Sequence, residues 1–152
     1  MIRVQREIGR SSYGGIYVNR QGTGAHSVGE DYNRAYGLDA NIQLSKNQRL
    51  STFFARTDSP KRATGPSGSD YSGRAFYNFT NNLWQVSAGY SQVGNNFNPE
   101  VGFLPRRGYR RPEVRVFYQP QPKNIEWIRR VAPHVSYNSF YGFNGELQSS
   151  MY

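Results

Sequence analysis

The chain has 152 residues, a length that allows one domain with a core. It is only 36% hydrophobic, 15% of it is aromatic and glycine occurs 16 times, whereas a helical protein would be richer in Ala, Leu, Glu and Lys. Cysteine is absent, which excludes a disulfide framework. The formal charge is +9, but most arginines are spread singly along the chain, so we expect no nucleic-acid partner. The composition indicates many short strands.

Period-two alternation of apolar and polar residues predicts where these strands lie. From Tyr36 to Leu44 one face reads Tyr, Leu, Ala, Ile, Leu and the other Gly, Asp, Asn, Gln. Trp84 to Ser91 alternates in the same way. The predicted strands, in chain order, are 2–8, 13–19, 34–44, 49–57, 72–80, 83–93, 112–119 and 132–144.

The connections between these strands are alternately short and long. Short ones are expected at 9–12, 45–48 and 81–82, and long ones at 20–33, 58–71 and 94–111. The seventh connection, 120–131, should be short by this rule but is long. Tight turns permit only antiparallel pairing, and the alternation is typical of membrane barrels with short periplasmic turns. We predict an all-β antiparallel meander of about eight strands, with residues 1–152 forming a transmembrane β-barrel or part of a larger one.

Each strand has one apolar and one polar face. The apolar face is predicted to carry Leu38, Ala40, Ile42, Ala75, Tyr77, Val86, Ala88 and Tyr90. The polar face is predicted to carry Asp39, Asn41, Gln43, Arg74, Asn78, Gln85 and Ser87. A soluble β-sandwich also has one apolar face, but the charged and amide residues of the polar faces and the small and aromatic mixture of the apolar faces favour a barrel.

Tyr32 and Tyr71 each lie where a long connection re-enters a strand. One interpretation places both rings in an aromatic girdle at the outer interface of the membrane. The alternative is that tyrosine is simply common at such junctions.

The termini and the hydropathy also bear on the class of protein. No run approaches the roughly 18 apolar residues that a membrane helix needs, a length that barrel strands do not require. Met1 is followed at once by the alternating residues 2–6, without an export signal. An exported protein with this sequence is therefore expected to be a fragment or a truncated gene product.

Catalytic and metal-binding patterns are weak. His26 and His134 have no second His or Cys at ligand spacing, so no metal site is predicted. No Gly-x-Ser-x-Gly sequence occurs, and Gly22-Thr23-Gly24 has no strand–helix context for binding phosphate. Glu100 and Glu113 are interpreted as solvated or interior charges and not as a glycosidase pair. We expect no catalytic residue, no cofactor and no enzymatic activity of the chain itself.

The connection from Asn95 to Arg111 combines apolar residues with proline, glycine and four arginines. Long loops of this kind are usually functional or disordered, and the apolar residues Phe97, Phe103 and Leu104 argue for order and burial. At least one arginine is expected to pair with a carboxylate such as Asp39, Glu100 or Glu113. The arginines would otherwise bind anionic ligands or lie near lipopolysaccharide phosphates. The candidate functional residues are Asn98, Pro99, Glu100, Gly102, Phe103, Arg106, Arg107, Tyr109, Arg110 and Arg111.

Residues 98–111, NPEVGFLPRRGYRR, resemble the signature of an uncharacterised family of bacterial outer-membrane β-barrels, as do residues 33–41 and 83–90. In that family the barrel follows an N-terminal carbohydrate-binding domain similar to family-nine modules, and members are often labelled as membrane-associated hydrolases without demonstrated chemistry. The resemblance implies an outer-membrane location and contact with outer-membrane lipid and lipopolysaccharide. It also implies glycan binding through an N-terminal domain, which falls on no residue of this sequence.

Pattern and resemblance together predict a non-catalytic outer-membrane barrel segment that anchors, or forms a passage for, a glycan-related surface activity. The alternative is a soluble carbohydrate-binding β-sandwich that uses exposed Tyr and Trp rings as sugar platforms.

Overall fold

A computed structural model describes residues 1–23, 31–60, 69–102, 104–121 and 131–151. This described part of the chain contains nine strands and no helix. The strands are β1 (Ile2–Ile8), β2 (Ser11–Gln21), β3 (Tyr32–Ser45), β4 (Gln48–Asp58), β5 (Tyr71–Thr80), β6 (Trp84–Val93), β7 (Tyr109–Tyr118), β8 (His134–Tyr141) and β9 (Leu147–Met151). No segment of the described residues is a helix long and apolar enough to cross a membrane.

All strands belong to one antiparallel sheet in which each pairs with its neighbours in sequence, in the order β1 to β9. The prediction of an all-β antiparallel meander is confirmed. In the described part of the chain, β1 and β9 do not pair with each other, so the sheet is open.

The eight predicted strands are all present, and most of their ends differ from the prediction by two residues or fewer. β7 begins three residues earlier than predicted, at Tyr109, and its ladder with β8 is interrupted opposite Pro112, which has no N–H to donate. The prediction missed β9 because Leu147–Met151 does not alternate between apolar and polar residues.

The short and long connections lie at opposite ends of the sheet, because successive turns of a meander alternate between its ends. β1–β2 and β3–β4 are joined by two residues each, at the end we call the turn end. The three long connections 22–31, 59–70 and 94–108 leave the other end, the loop end. The last two connections depart from this arrangement. The connection 119–133 is long although it lies at the turn end, and 142–146 is short although it lies at the loop end.

The strand registers define the two faces of the sheet, because directly paired residues lie on the same face. Leu38 pairs with Phe54, and Ala75 pairs with both Thr52 and Tyr90. Following these pairs places the predicted apolar residues together on one face and the predicted polar residues on the other, which confirms the assignment. We call these the apolar face and the polar face.

Burial is concentrated at the loop end of the polar face. Among the described residues, Asn33, Thr57, Ser72, Val93 and Phe97 are buried there. By register, Ile16, Val18, Ala35 and Ala55 also lie on the polar face near this end. The polar face therefore has a local apolar area, which the sequence analysis did not predict, and it lies beneath the connection 94–108.

Candidate functional site: the connection 94–108 and its arginines

Backbone hydrogen bonds fix both ends of the 94–108 connection. The Gly94 N–H donates to the Tyr71 carbonyl at 2.9 Å, and the Asn96 N–H donates to the Ser69 carbonyl at 3.0 Å. At the other end, the Gly108 N–H donates to the Val93 carbonyl at 2.9 Å. Gly108 has φ of +72°, a conformation that glycine adopts without steric cost. The connection is therefore closed at its base like an Ω-loop.

Asn33 on β3 holds the middle of the connection. Its Nδ2 donates to the Asn98 carbonyl at 2.8 Å, and its Oδ1 accepts from the Glu100 N–H at 3.4 Å. The side-chain oxygen of Thr57 accepts from the Asn98 N–H at 2.9 Å. Asn33 is 1% exposed, so these partners satisfy polar groups that water does not reach. No role was predicted for either residue, because Asn33 falls at the end of the predicted connection 20–33 and Thr57 at the end of the predicted strand 49–57.

Phe97 packs against the apolar area of the polar face and is 7% exposed. Together with Pro99 and strand residues of β2, β3 and β4 it lines a cavity of about 270 Å³. Leu104 is half-buried, whereas Val101 is exposed. The predicted burial is confirmed for Phe97, and Phe103 lies outside the described residues.

Glu100 is held by an arginine that is distant in sequence. Arg20 Nε lies 2.5 Å from Glu100 Oε2. Nη2 of the same arginine lies 2.7 Å from Asp31 Oδ1. Asp39, which the sequence offered as one possible partner of the arginines at 106, 107, 110 and 111, pairs instead with Arg3 at 3.1 Å. Asp39 lies on β3 opposite Gly14 of β2, and without a side chain there Arg3 reaches it from β1.

Glu113 confirms the expectation that at least one of these arginines has a carboxylate partner. Its two oxygens contact Arg111 at 3.4 Å and Arg74 at 3.0 Å. Arg111 also donates to Asn138 Oδ1 at 2.7 Å. Glu100 and Glu113 are thus both paired with arginines.

Arg106, Arg107 and Arg110 are held by neutral groups. The Arg106 guanidinium lies 4.8 Å from the centre of the Phe140 ring and donates to Gln148. Arg107 donates to the Asn98 side chain, and the Arg110 guanidinium lies 4.9 Å from the Phe143 ring. Within the described residues none of these three contacts a carboxylate, so their charge is uncompensated there.

Tyr109 and Phe140 form the aromatic part of this region. Their rings pack edge-on with centroids 5.1 Å apart, and Arg111 lies 5.1 Å from the Phe140 ring. Two guanidinium groups, those of Arg106 and Arg111, therefore lie at similar distances from the centre of the Phe140 ring, 4.8 and 5.1 Å. The negative electrostatic potential of an aromatic face attracts such cations.

Tyr32 and Tyr71 both lie on the apolar face at the loop end. The Arg34 guanidinium lies 4.5 Å from the Tyr32 ring. The Tyr71 hydroxyl accepts from Gln92 at 2.5 Å. Both phenols are thus placed where the apolar face meets the connections.

Of the two histidines, only His134 lies in the described part of the chain. His134 stacks on Phe117 at 4.8 Å, and His26 lies outside the described residues. No group of three or more His, Cys, Asp and Glu side chains within the described ranges could hold a metal ion. The exposed guanidinium groups of Arg106 and Arg107 can donate hydrogen bonds to anionic groups.

Comparisons of this chain with protein-family models, with curated proteins and with solved structures found no match.

Proposed function

We propose that this chain forms part of the wall of a β-barrel in the bacterial outer membrane, with its apolar face toward lipid and its polar face toward the interior. The observation that carries the proposal is the exposure of the apolar face. Leu38 is 68% exposed, Phe54 is 52% exposed and Val135 is 74% exposed. These residues lie on β3, β4 and β8, so the exposed face extends across the sheet.

A surface of this extent needs a cover. Soluble monomers rarely expose contiguous apolar patches larger than a few hundred Å². The described strands all belong to one sheet, and none of them packs over this face as a second layer. Lipid acyl chains are the cover that suits a face of aliphatic, small and aromatic side chains in period-two alternation.

The polar face supports the same orientation. Two ion pairs on it cross between strands, Arg3–Asp39 and Arg74–Glu113. Arg111 pairs with Glu113 within β7 and donates to Asn138 on β8. Charged side chains that satisfy one another are typical of a polar barrel interior. The same charges directed toward acyl chains would be strongly unfavourable.

The open edges add one requirement to the proposal. Unpaired backbone groups are not tolerated in lipid, so β1 and β9 must be paired when the sheet is in the membrane. Pairing of the two edges with each other, with further strands or with a second copy would each satisfy them.

In the barrel that we propose, the connection 94–108 folds onto the interior face near its loop end. The chain would then be a non-catalytic anchor or passage for a glycan-related surface activity, and the resemblance of residues 98–111 to the barrel family supports this role. Tyr32, Tyr71 and Arg34 at the end of the apolar face would contact headgroups of outer-membrane lipid and lipopolysaccharide, because amphipathic rings and guanidinium groups suit that region.

Partitioning of the purified full chain tests the proposal. We expect the chain to remain with phosphatidylcholine vesicles through flotation on a density gradient, and to require detergent for solubility in their absence. A monodisperse, β-rich monomer that stays in solution without lipid or detergent would overturn the membrane assignment. That result would favour the soluble carbohydrate-binding alternative, in which exposed rings such as Trp84 and Tyr118 bind sugar.

A further inference from the structure

A groove of about 870 Å³ lies on the apolar face near the loop end. The side chains along it come from β1, β3 and β4, and they include Val4, Leu38, Phe54, Arg56 and Asp58. The strand registers place all five on the apolar face. The two charged residues are nearest the loop end, so the groove is apolar along most of its length and charged at one end.

Gly15 of β2 forms the floor of the apolar part. It pairs directly with Val4 on one side and Leu38 on the other, so its missing side chain leaves a gap between these two exposed residues. A Cβ at Gly15 would lie 3.5 Å from Leu38 Cδ2, which is ordinary van der Waals contact. A longer side chain at this position would therefore occupy the groove without a clash at its Cβ.

The charged end of the groove presents a donor and an acceptor. Arg56 and Asp58 are two residues apart on the same side of β4, about 7 Å along the strand. Arg56 Nε pairs with Asp70 at 2.9 Å, and the contact leaves its terminal nitrogens for other acceptors. Asp58 makes no ion pair within the described ranges, because the guanidinium of Arg34 opposite it lies over the Tyr32 ring. A single headgroup could contact both Arg56 and Asp58.

The groove has the polarity of a membrane lipid. In the orientation that we propose, its charged end lies in the headgroup region, and the row that contains Leu38 and Phe54 lies nearer the middle of the bilayer. A guanidinium group matches the oxygens of a phosphate, and a carboxylate accepts from an ammonium group. The two arginines at this end balance the two aspartates in charge, which favours a zwitterionic headgroup over an anionic one.

We propose that this groove binds a phospholipid with a primary ammonium headgroup, of the phosphatidylethanolamine type. One acyl chain lies over Gly15, between Val4 and Leu38. The phosphate accepts from Arg56, and the ammonium donates to Asp58. The proposal deepens the lipid contact proposed above and rests on it.

The test uses the full chain in neutral detergent. Native mass spectrometry measures the binding of phosphatidylethanolamine and, in parallel, of phosphatidylglycerol with the same acyl chains. Phosphatidylglycerol has no ammonium group and carries a negative charge, which a chain of formal charge +9 attracts without any specific site. We expect phosphatidylethanolamine to bind about tenfold more tightly, against this general attraction.

Variants separate the headgroup from the acyl chain. D58N should reduce the preference for phosphatidylethanolamine to less than about threefold, because it removes the partner of the ammonium group. G15L fills the groove and should weaken phosphatidylethanolamine binding by about tenfold. Its matched control is G73L, on the same face and in the same row, opposite Phe54 but outside the groove lining. G73L should weaken binding by less than about threefold.

Tighter or equal binding of phosphatidylglycerol by the parent chain would overturn the proposal. Retention of the preference in D58N, or equal effects of G15L and G73L, would overturn it as well. Near-identical circular dichroism of the variants and the parent chain checks that folding is unchanged. A chain that floats with phosphatidylcholine vesicles but shows no preference would disprove the groove and leave the membrane proposal standing, whereas a chain that does not float would overturn both.

Discussion

Arg74 on β5 and Glu113 on β7 form a 3.0 Å ion pair across the intervening strand β6, at the position of Gly89. Gly89 pairs directly with Phe76 on one side and Glu113 on the other. A Cβ at this position would overlap the Phe76 ring and lie 3.0 Å from Glu113 Cγ. The missing side chain therefore leaves room on the polar face for a pair that spans two strand spacings.

The same arrangement occurs near the first strand. Arg3 on β1 reaches Asp39 on β3 across β2, where a Cβ at Gly14 would lie 2.8 Å from Asp39 Oδ1. In both places a glycine in the middle strand lies beneath an arginine–carboxylate pair. Ion pairs thus connect strands that share no backbone hydrogen bonds.

We expect the Arg74–Glu113 pair to show a measurable coupling energy. Because both side chains are partly solvent-exposed, a double-mutant cycle with R74A and E113A should give about 0.5–1 kcal/mol of coupling in urea unfolding of the lipid-inserted chain. Glu113 also pairs with Arg111, so E113A alone should cost more than R74A alone. Strict additivity of the two single changes would show that the pair contributes nothing to stability.

Substitution of Asn33 should release the connection 94–108. In N33A the Asn98 carbonyl and the Glu100 N–H lose their buried partner, so we expect a loss of about 1–3 kcal/mol in the free energy of unfolding. Amides of residues 96–102 should exchange faster with deuterium than in the parent chain. The control is N41A, on the same strand and face but exposed. Equal exchange rates in N33A and the parent chain would show that Asn33 does not hold this segment.

An arginine on the apolar face tests the lipid assignment directly. If Ala88 faces the middle of the bilayer, A88R should destabilise the chain in phosphatidylcholine vesicles by about 2–4 kcal/mol. Q85R, three residues away on the polar face, should be tolerated within about 0.5 kcal/mol because its charge stays in the interior. The assay is urea unfolding in vesicles, and equal tolerance of both changes would contradict lipid contact at Ala88.

Of the two glycines at positions 102 and 108 in the connection 94–108, Gly108 is predicted to be the one at which a substitution by alanine costs more stability. G108A requires an alanine at φ of +72° and brings its Cβ into the Asn95 side chain, so we expect a loss of about 1–2 kcal/mol. G102A has its nearest non-neighbouring atom at 3.8 Å and should be nearly neutral. Thermal or urea unfolding of both variants measures the difference, and the reverse order would contradict the expectation.

Alternation was sufficient to predict the sheet because register and face depend on the same period of two. Successive side chains of a strand point to opposite faces, so Leu38, Ala40 and Ile42 lie on one side of β3. Asp39 and Asn41 lie on the other side. β9 was not predicted, because Leu147–Met151 is recognised as a strand only by its pairing with β8. The sequence alone does not reveal that pairing.

The site was predicted less completely than the sheet. Composition was enough to single out residues 95–111, since prolines, apolar side chains and arginines are unusual together in a loop. The partners were not predictable, because Arg20 and Glu100 are 80 positions apart and Asn33 and Asn98 are 65 positions apart. Such contacts are set by where the sheet places its edges and loops in space, and no local pattern marks them.

In the barrel that we propose, the meander determines how the wall can change in size. Every strand is paired only with the strands next to it in sequence, so a hairpin added to or removed from either edge leaves all remaining pairs intact. Each added hairpin would lengthen the circumference by two strand spacings, about 10 Å. Gene duplication or loss of single hairpins could therefore adjust the diameter of the wall stepwise, without redesign of the strands that carry the arginines or their aromatic supports.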